Sequence, residues 1–264
     1  MNKLPQFLYR YRSIASKNLD RTFTHNELYF SRPDQFNDPF DCKTHFTFKG
    51  CDEKDIRKYF EVASSIHPPN LSDSEIERFV NDYKSGNATF PQKMINMLRK
   101  DLPKYQLTLR MLCLSEVYDN ILMWSHYSDG HRGIVLQFDT AYIAKQFVSR
   151  CEKVDYYSDF PTLRDYNERF REQMFLLAKS DHWSYEKEWR IINSVENDEE
   201  DKIDKVYKIE KEMLAGIILG CEISNEDKDR IRMWRDYGQS QVKIYKAIKH
   251  EDSYAIKVDF SISE

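Results

Sequence analysis

The sequence predicts an α+β protein with a mixed or antiparallel split sheet. Short β-type runs outnumber long helical ones, and helices separate some strands but not all of them. Glycine is scarce, at 7 of 264 residues, and neither GxGxxG nor GxxxxGK[ST] occurs, so Rossmann and P-loop architectures have no support.

The elements follow in chain order. Residues 7–12 read FLYRYR, a short aromatic strand, and residues 17–24 a turn or short helix. Residues 27–31, ELYFS, form a second strand that Pro33 brings to an end, because proline has no N–H for the ladder and biases Arg32 to an extended backbone. Phe36-Asn37-Asp38-Pro39-Phe40-Asp41 carries turn chemistry. Residues 52–107 read as a helical insertion that walls the site or sets specificity. Within it, 52–65 and 91–100 are helical. Ser72 or Asp73 caps a third helix to Tyr83, with Glu75 near the capping-box position and Gly86-Asn87 beyond its end.

LTLRMLCLS at 107–115 is a buried strand, NILMWSHY at 120–127 a short helix and GIVLQFD at 133–139 another strand. A short helix over 142–148 and a strand over 153–157 come next. A long amphipathic helix is expected over 163–179, with Phe170, Met174 and Leu177 on one side. Strands are expected at 189–194, 206–209 and 213–220, with a charged loop at 196–205. A helix over 225–237 follows Ser224 as cap, and strands at 242–247 and 254–260 close the chain. No repeat period and no linker rich in Gly, Pro or Ser is visible, so a single domain over 1–264 is expected.

Composition narrows the function classes. Apolar residues make up 41% and charged residues 32%, enough apolar content for a packed core. The net charge of −4 argues against a surface that binds nucleic acid mainly by neutralising phosphates. Lys93, Arg99, Lys100 and Lys104 form a local basic stretch, read as a solvated helix face. The cysteines Cys42, Cys51, Cys113, Cys151 and Cys221 include no CxxC pair, so no zinc ribbon or redox motif is expected. With no signal peptide and no membrane-length apolar stretch, a cytoplasmic protein with free thiols is expected, and no membrane partner.

Four islands carry unusual side chains. In WSYEKEWR, Glu186 and Glu188 lie two apart, which on a strand puts both carboxylates on one face and calls for a facing cation such as Arg10 or Arg190. The plain alternative is a solvent-facing start of a strand. Arg10, within LYRYR, needs a carboxylate, carbonyl or phosphate partner, and a structural ion pair would serve equally. In MWSHY, an aromatic helix face with Trp124 and Tyr127 could stack a planar ring or simply fill the core, while His126, or His131 beyond it, is either an acid–base group or a satisfied histidine. Asn37, Asp38 and Asp41 could hold a cation, but without EF-hand spacing an Asx turn accounts for them and no metal site is expected.

Together, YFSRPDQFNDPFD, LMWSHYSDGHRGIVLQFD and WSYEKEWRII resemble a widespread bacterial family known only as a domain of unknown function, from Tyr9 to about Gly220. More distantly, an aromatic-Arg first strand, a Ser ending the second and Glu-x-Glu before a later one resemble the ADP-ribosyltransferase superfamily. The resemblance implies an ADP-ribosyltransferase-like fold and NAD as the cofactor. In it Arg10, with Tyr9 alongside, orients the dinucleotide and Ser31 supports it. Glu188 is catalytic, Glu186 engages the acceptor, and Tyr127 or Trp124 stacks the nicotinamide. It also implies an NAD-dependent transferase or NAD hydrolase acting as a toxin or phage-defence effector, with a protein or nucleic-acid acceptor and an antitoxin or inhibitor as a candidate partner. The second strand reads YFSRP rather than Ser-Thr-Ser, a departure from the superfamily pattern. The alternatives are a non-enzymatic module binding a nucleotide or peptide, and a hydrolase or nuclease using His126 with Asp38 and Asp41.

Overall fold

A computed structural model describes residues 3–43, 47–58, 72–87, 106–147, 151–165, 174–194 and 205–260. The chain begins with β1 (Phe7–Arg12), α1 (Leu19–Thr24) and β2 (Glu27–Phe30). Helix α2 (Asp73–Lys84) starts in the expected capping box, in which Ser72 accepts the Glu75 N–H and the Glu75 carboxylate accepts the Ser72 N–H. Then come β3 (Leu109–Ser115), α3 (Ile121–Tyr127), β4 (Ile134–Asp139) and α4 (Thr140–Gln146). Asn120 and Asp139 cap the two helices through their side chains. Short β5 (Cys151–Lys153), β6 (Asp155–Tyr157) and β7 (Ala178–Ser180) precede β8 (Glu188–Ser194) and β9 (Lys205–Lys208). The chain closes with β10 (Leu214–Leu219), α5 (Asn225–Gly238, capped by Ser224), β11 (Lys243–Lys249) and β12 (Ile256–Val258).

The helix expected through 179 stops earlier: Met174–Leu177 is helical, but Ala178–Ser180 is a strand paired in parallel with β6. Residues 59–65, all of 91–100, the segment 196–204 and Phe170 lie outside the described residues, as do Lys93, Arg99, Lys100 and Lys104.

Two compact units emerge. One comprises Met1–Ser31, Arg110–Val154 and Ser184–Glu264, the other Arg32–Leu109 and Asp155–Trp183. The larger is organised by an eight-stranded sheet of order β12-β11-β10-β4-β1-β3-β8-β5. The sheet is mixed: β10 and β11 run parallel, joined through α5, while β1–β3, β1–β4, β4–β10, β5–β8 and β11–β12 are antiparallel. The fold is therefore α+β with a mixed sheet.

Strand alternation gives the sheet two different faces. Leu8, Leu112, Leu114, Leu136, Phe138, Trp189, Ile191, Ile217 and Ile244 share one core cluster with Phe23 of α1, Phe30 of β2 and Ile231 of α5. Burying each large apolar side chain there contributes about 1.5–3 kcal/mol. The intervening residues Tyr9, Tyr11, Val135, Ile218, Tyr245 and Ala247 belong to a second cluster with Met123 and Trp124 of α3, against which Tyr118, Tyr127 and Tyr185 pack.

In the smaller unit, the Asp38 carboxylate accepts the Phe40 N–H at 2.8 Å, the expected Asx turn. Asp41 lies 3.6 Å from the Lys179 ammonium, with side chains 4% and 7% exposed. Cys42 next to it takes a left-handed backbone, φ 55°, and its carbonyl accepts from the Gln106 side chain. The NDPFDC segment thus ties an irregular loop to β7 through a buried charge pair. Lys179 itself sits in β7, paired opposite Tyr156 of β6.

Candidate functional site

The tyrosine face of the larger unit gathers polar side chains. Register places Gly216 of β10 opposite Gln137 of β4, Gln137 opposite Tyr9 of β1, and Tyr9 opposite Ser115 of β3. This row of non-aliphatic residues crosses an otherwise apolar sheet, and with strands ~4.8 Å apart it spans roughly 14 Å. Ser115 extends it: its hydroxyl donates to the Glu186 carbonyl at 2.6 Å and accepts the Val117 N–H at 3.0 Å. Glu186 is 3% exposed, and its carboxylate accepts the Tyr127 hydroxyl at 2.7 Å. Burial pushes the Tyr9 phenol above its ordinary value, so it stays a proton donor at neutral pH.

Glu186 and Glu188 are not on one strand. Glu186 ends the 3-10 segment Asp181–Glu186, Lys187 turns through φ 43°, and the strand begins at Glu188. Glu188 and Arg190 then share a face and form a bidentate pair, with Nε at 2.7 Å from one carboxylate oxygen and a terminal nitrogen at 2.9 Å from the other. Both are buried, Arg190 completely. Arg190 therefore supplies the counter-charge of Glu188, while the expected placing of both carboxylates on one strand face is corrected.

Arg10 does not face Glu188. Arg10 alternates with Tyr9 and Tyr11 and pairs opposite Leu136, on the aliphatic face, where it donates to the Tyr29 carbonyl at 3.0 Å. Burial, reinforced by Arg12, pulls its guanidinium below the usual arginine value. Glu188 lies opposite in sense to Trp189 and Ile191, which point to that aliphatic cluster. The expected Arg10–Glu188 opposition is thus corrected: the sheet stands between them.

Ser31 forms an isolated bridge with Met111, four residues from Ser115, or about 13 Å along a strand, so it stands away from Glu186. Trp124 is 0% exposed, edge-on to Tyr11 at 5.4 Å, with its indole N–H donated to the Tyr118 carbonyl at 2.8 Å. It is core, and its ring faces are not available for stacking a ligand. Its neighbour His131 stacks on it at 6.2 Å. Tyr127 is half-buried, and exposed His126 meets it edge-on at 6.2 Å. Asn37, exposed, and Asp38 belong to the smaller unit, where Asp38 serves its turn and Asp41 its lysine.

The structure thus gathers Tyr9, Tyr127 and Glu186, and it adds Gln137, Ser115 and Gly216, which sequence reasoning missed. The available signal was a Gln inside the apolar run GIVLQFD and a Gly inside LAGIIL. No helix among the described residues is long and apolar enough to cross a membrane. No curated protein and no solved structure matches the chain. Residues 123–191, a stretch that includes Tyr127, Gln137, Glu186, Glu188 and Arg190, match the family model described as protein of unknown function (DUF2971).

Proposed function

We propose that the tyrosine face of the larger unit binds NAD and that Glu186 is the carboxylate acting on it, in ADP-ribosyl transfer to a macromolecular acceptor or in NAD hydrolysis. The observation that carries this proposal is the place of Glu186: it is buried at the end of the polar row, where its carboxylate accepts the Tyr127 hydroxyl at 2.7 Å. In the reaction, the bond between the nicotinamide nitrogen and ribose C1′ breaks and its electrons leave with neutral nicotinamide. An acceptor oxygen or nitrogen, or water, bonds to C1′ and gives up its proton. Glu186 beside the ribose would stabilise the positive charge that develops on the sugar. The superfamily resemblance supplies the reaction class. An ADP-ribosyltransferase-like fold, a cytoplasmic toxin or phage-defence role and an inhibitor partner belong to the same proposal.

Incubation with labelled NAD and cell extract tests it. Nicotinamide release or label transfer is expected, reduced about a hundredfold or more in Glu186→Gln, with the melting temperature near that of the parent. No release and no transfer from the parent protein would remove the enzymatic proposal. Arg10 takes no part in this proposal, because it donates to the Tyr29 carbonyl on the other face. Saturable NAD binding without turnover would leave a non-enzymatic nucleotide-binding module in its place.

A further inference from the structure

We infer that a cavity at the carboxyl end of β11 binds an organic cation: a guanidinium or ammonium group, bearing N–H donors, on an apolar stem. The inference uses none of the residues of the proposed NAD site. The cavity, about 750 Å³, is lined by the loop joining β11 to β12, the turn after β10, His131 and the start of α3, all within the larger unit. Its volume is that of a small-molecule site.

The backbone builds its floor. After α3, Asp129, Gly130 and His131 take left-handed φ values of 52°, 58° and 67° in succession. Gly220 approaches so closely that a Cβ there would clash with the His131 carbonyl. That approach lets the Glu222 N–H donate to the same carbonyl at 3.1 Å, which brings the Cys221–Glu222 turn to His131. The His131 ring then has an acceptor to spare. The one proton of the Ser125 hydroxyl goes to the Ile121 carbonyl at 3.0 Å, so the Ser125 oxygen accepts from the His131 Nε2–H at 3.2 Å. Nδ1 therefore carries a lone pair, and it is buried without a hydrogen-bond partner among the described residues. Burial holds the imidazole below its ordinary value, which keeps it neutral at pH 7. A buried acceptor without a donor is costly, and a ligand N–H supplies one. The ring reaches that donor by tilting about its long Nε2 contact with Ser125.

The rest of the lining sets the charge of the ligand. Glu222, Glu251 and Asp252 line the cavity against one ammonium, Lys249, which pairs with Glu222. Tyr254, 99% exposed, offers an aromatic face for a cation, and Ile121 and Ile256 offer apolar wall to its stem. Among the described residues no three His, Cys, Asp or Glu side chains are grouped to hold a metal ion, which points to an organic cation.

The test is calorimetric titration of the full chain with agmatine, a blocked arginine tripeptide and tetramethylammonium. It is run in the parent, His131→Phe, His131→Asn and the double variant Glu251→Gln/Asp252→Asn. The parent is expected to bind agmatine or the tripeptide about tenfold or more tighter than tetramethylammonium, which has no N–H. The tighter of the two names the source, a free amine or a side chain of a partner protein. His131→Phe should lose that margin. His131→Asn, which keeps an acceptor and tolerates a left-handed backbone, should retain part of it. The double variant changes only an exposed loop and should weaken binding about threefold, with less dependence on salt; it decides the matter if His131→Phe does not fold. Absence of binding of both N–H cations to the parent overturns the inference, as does tetramethylammonium binding equally well. Parent-like affinity in a folded His131→Phe, or in the double variant, overturns it too.

Discussion

On one face of the eight-stranded sheet, β1, β3, β4 and β10 present Leu8, Leu114, Leu136 and Ile217 to an aliphatic core; on the other they present Tyr9, Ser115, Gln137 and Gly216. The same four strands make both faces, one residue out of phase. The aliphatic face is covered by α1, α5 and β2, and of the arginines in phase with it Arg10 donates to the Tyr29 carbonyl and Arg12 to the Lys17 carbonyl. The tyrosine face concentrates hydroxyls, an amide and two buried glutamates. The contrast teaches that the unusual residues do not simply converge: alternation sorts them, and only those in phase with Tyr9 can share a site.

The largest way to break this arrangement is at the buried ion pair. Arg190→Met leaves Glu188 without its bidentate partner inside the protein, at a cost of about 3–5 kcal/mol. Chemical denaturation should show that loss, and Glu188→Met in the same chain should recover most of it. If Arg190→Met alone melts like the parent, the pair is not holding the start of β8.

A smaller effect is expected at Tyr127→Phe, which removes the hydroxyl from a buried carboxylate. A loss of about 1–2 kcal/mol fits a hydrogen bond to a charged group at a half-buried position. Ligand affinity should fall with it, because Glu186 loses the contact that positions it. A parent-like affinity would separate Tyr127 from the site.

The smallest effect belongs to the aliphatic face. Arg10→Met should cost about 1 kcal/mol through the lost bond to Tyr29 and leave nucleotide binding unchanged. A strong drop in affinity with unaltered melting would return Arg10 to the site and overturn the assignment of faces.

Much of the scaffold was legible in the sequence because its signals are local. FLYRYR, LRMLCLS and IVLQFD are strands by pattern, though Leu107 and Thr108, expected in the second of them, are helical, and Ser72 and Ser224 act as caps because their side chains reach backbone N–H groups within the next turn. A cation beside Glu188 was legible only as one option, alongside a solvent-facing strand start, and Arg190 and Arg10 were both candidates until alternation chose between them. Three things were hidden. The left-handed turn at Lys187, which moves Glu186 off the strand, has no glycine to announce it. The strand character of Ala178–Ser180 comes with a pairing to β6, which is not nearby in sequence. The row from Gly216 to Ser115 exists only through the order of strands in the sheet, which no single stretch of sequence encodes.

Strand β4 occupies the centre of the sheet, yet one of its two neighbours, β10, does not begin until Leu214. While the polypeptide is being made, an apolar ribbon carrying Gln137 must therefore wait with one edge uncovered until the later strand arrives. Such distant closure slows assembly and exposes a surface prone to wrong pairing. The ring of Phe260, which meets Tyr118 and Tyr245, comes later still, so a chain cut short after β10 would own the sheet's centre and lack these aromatic contacts.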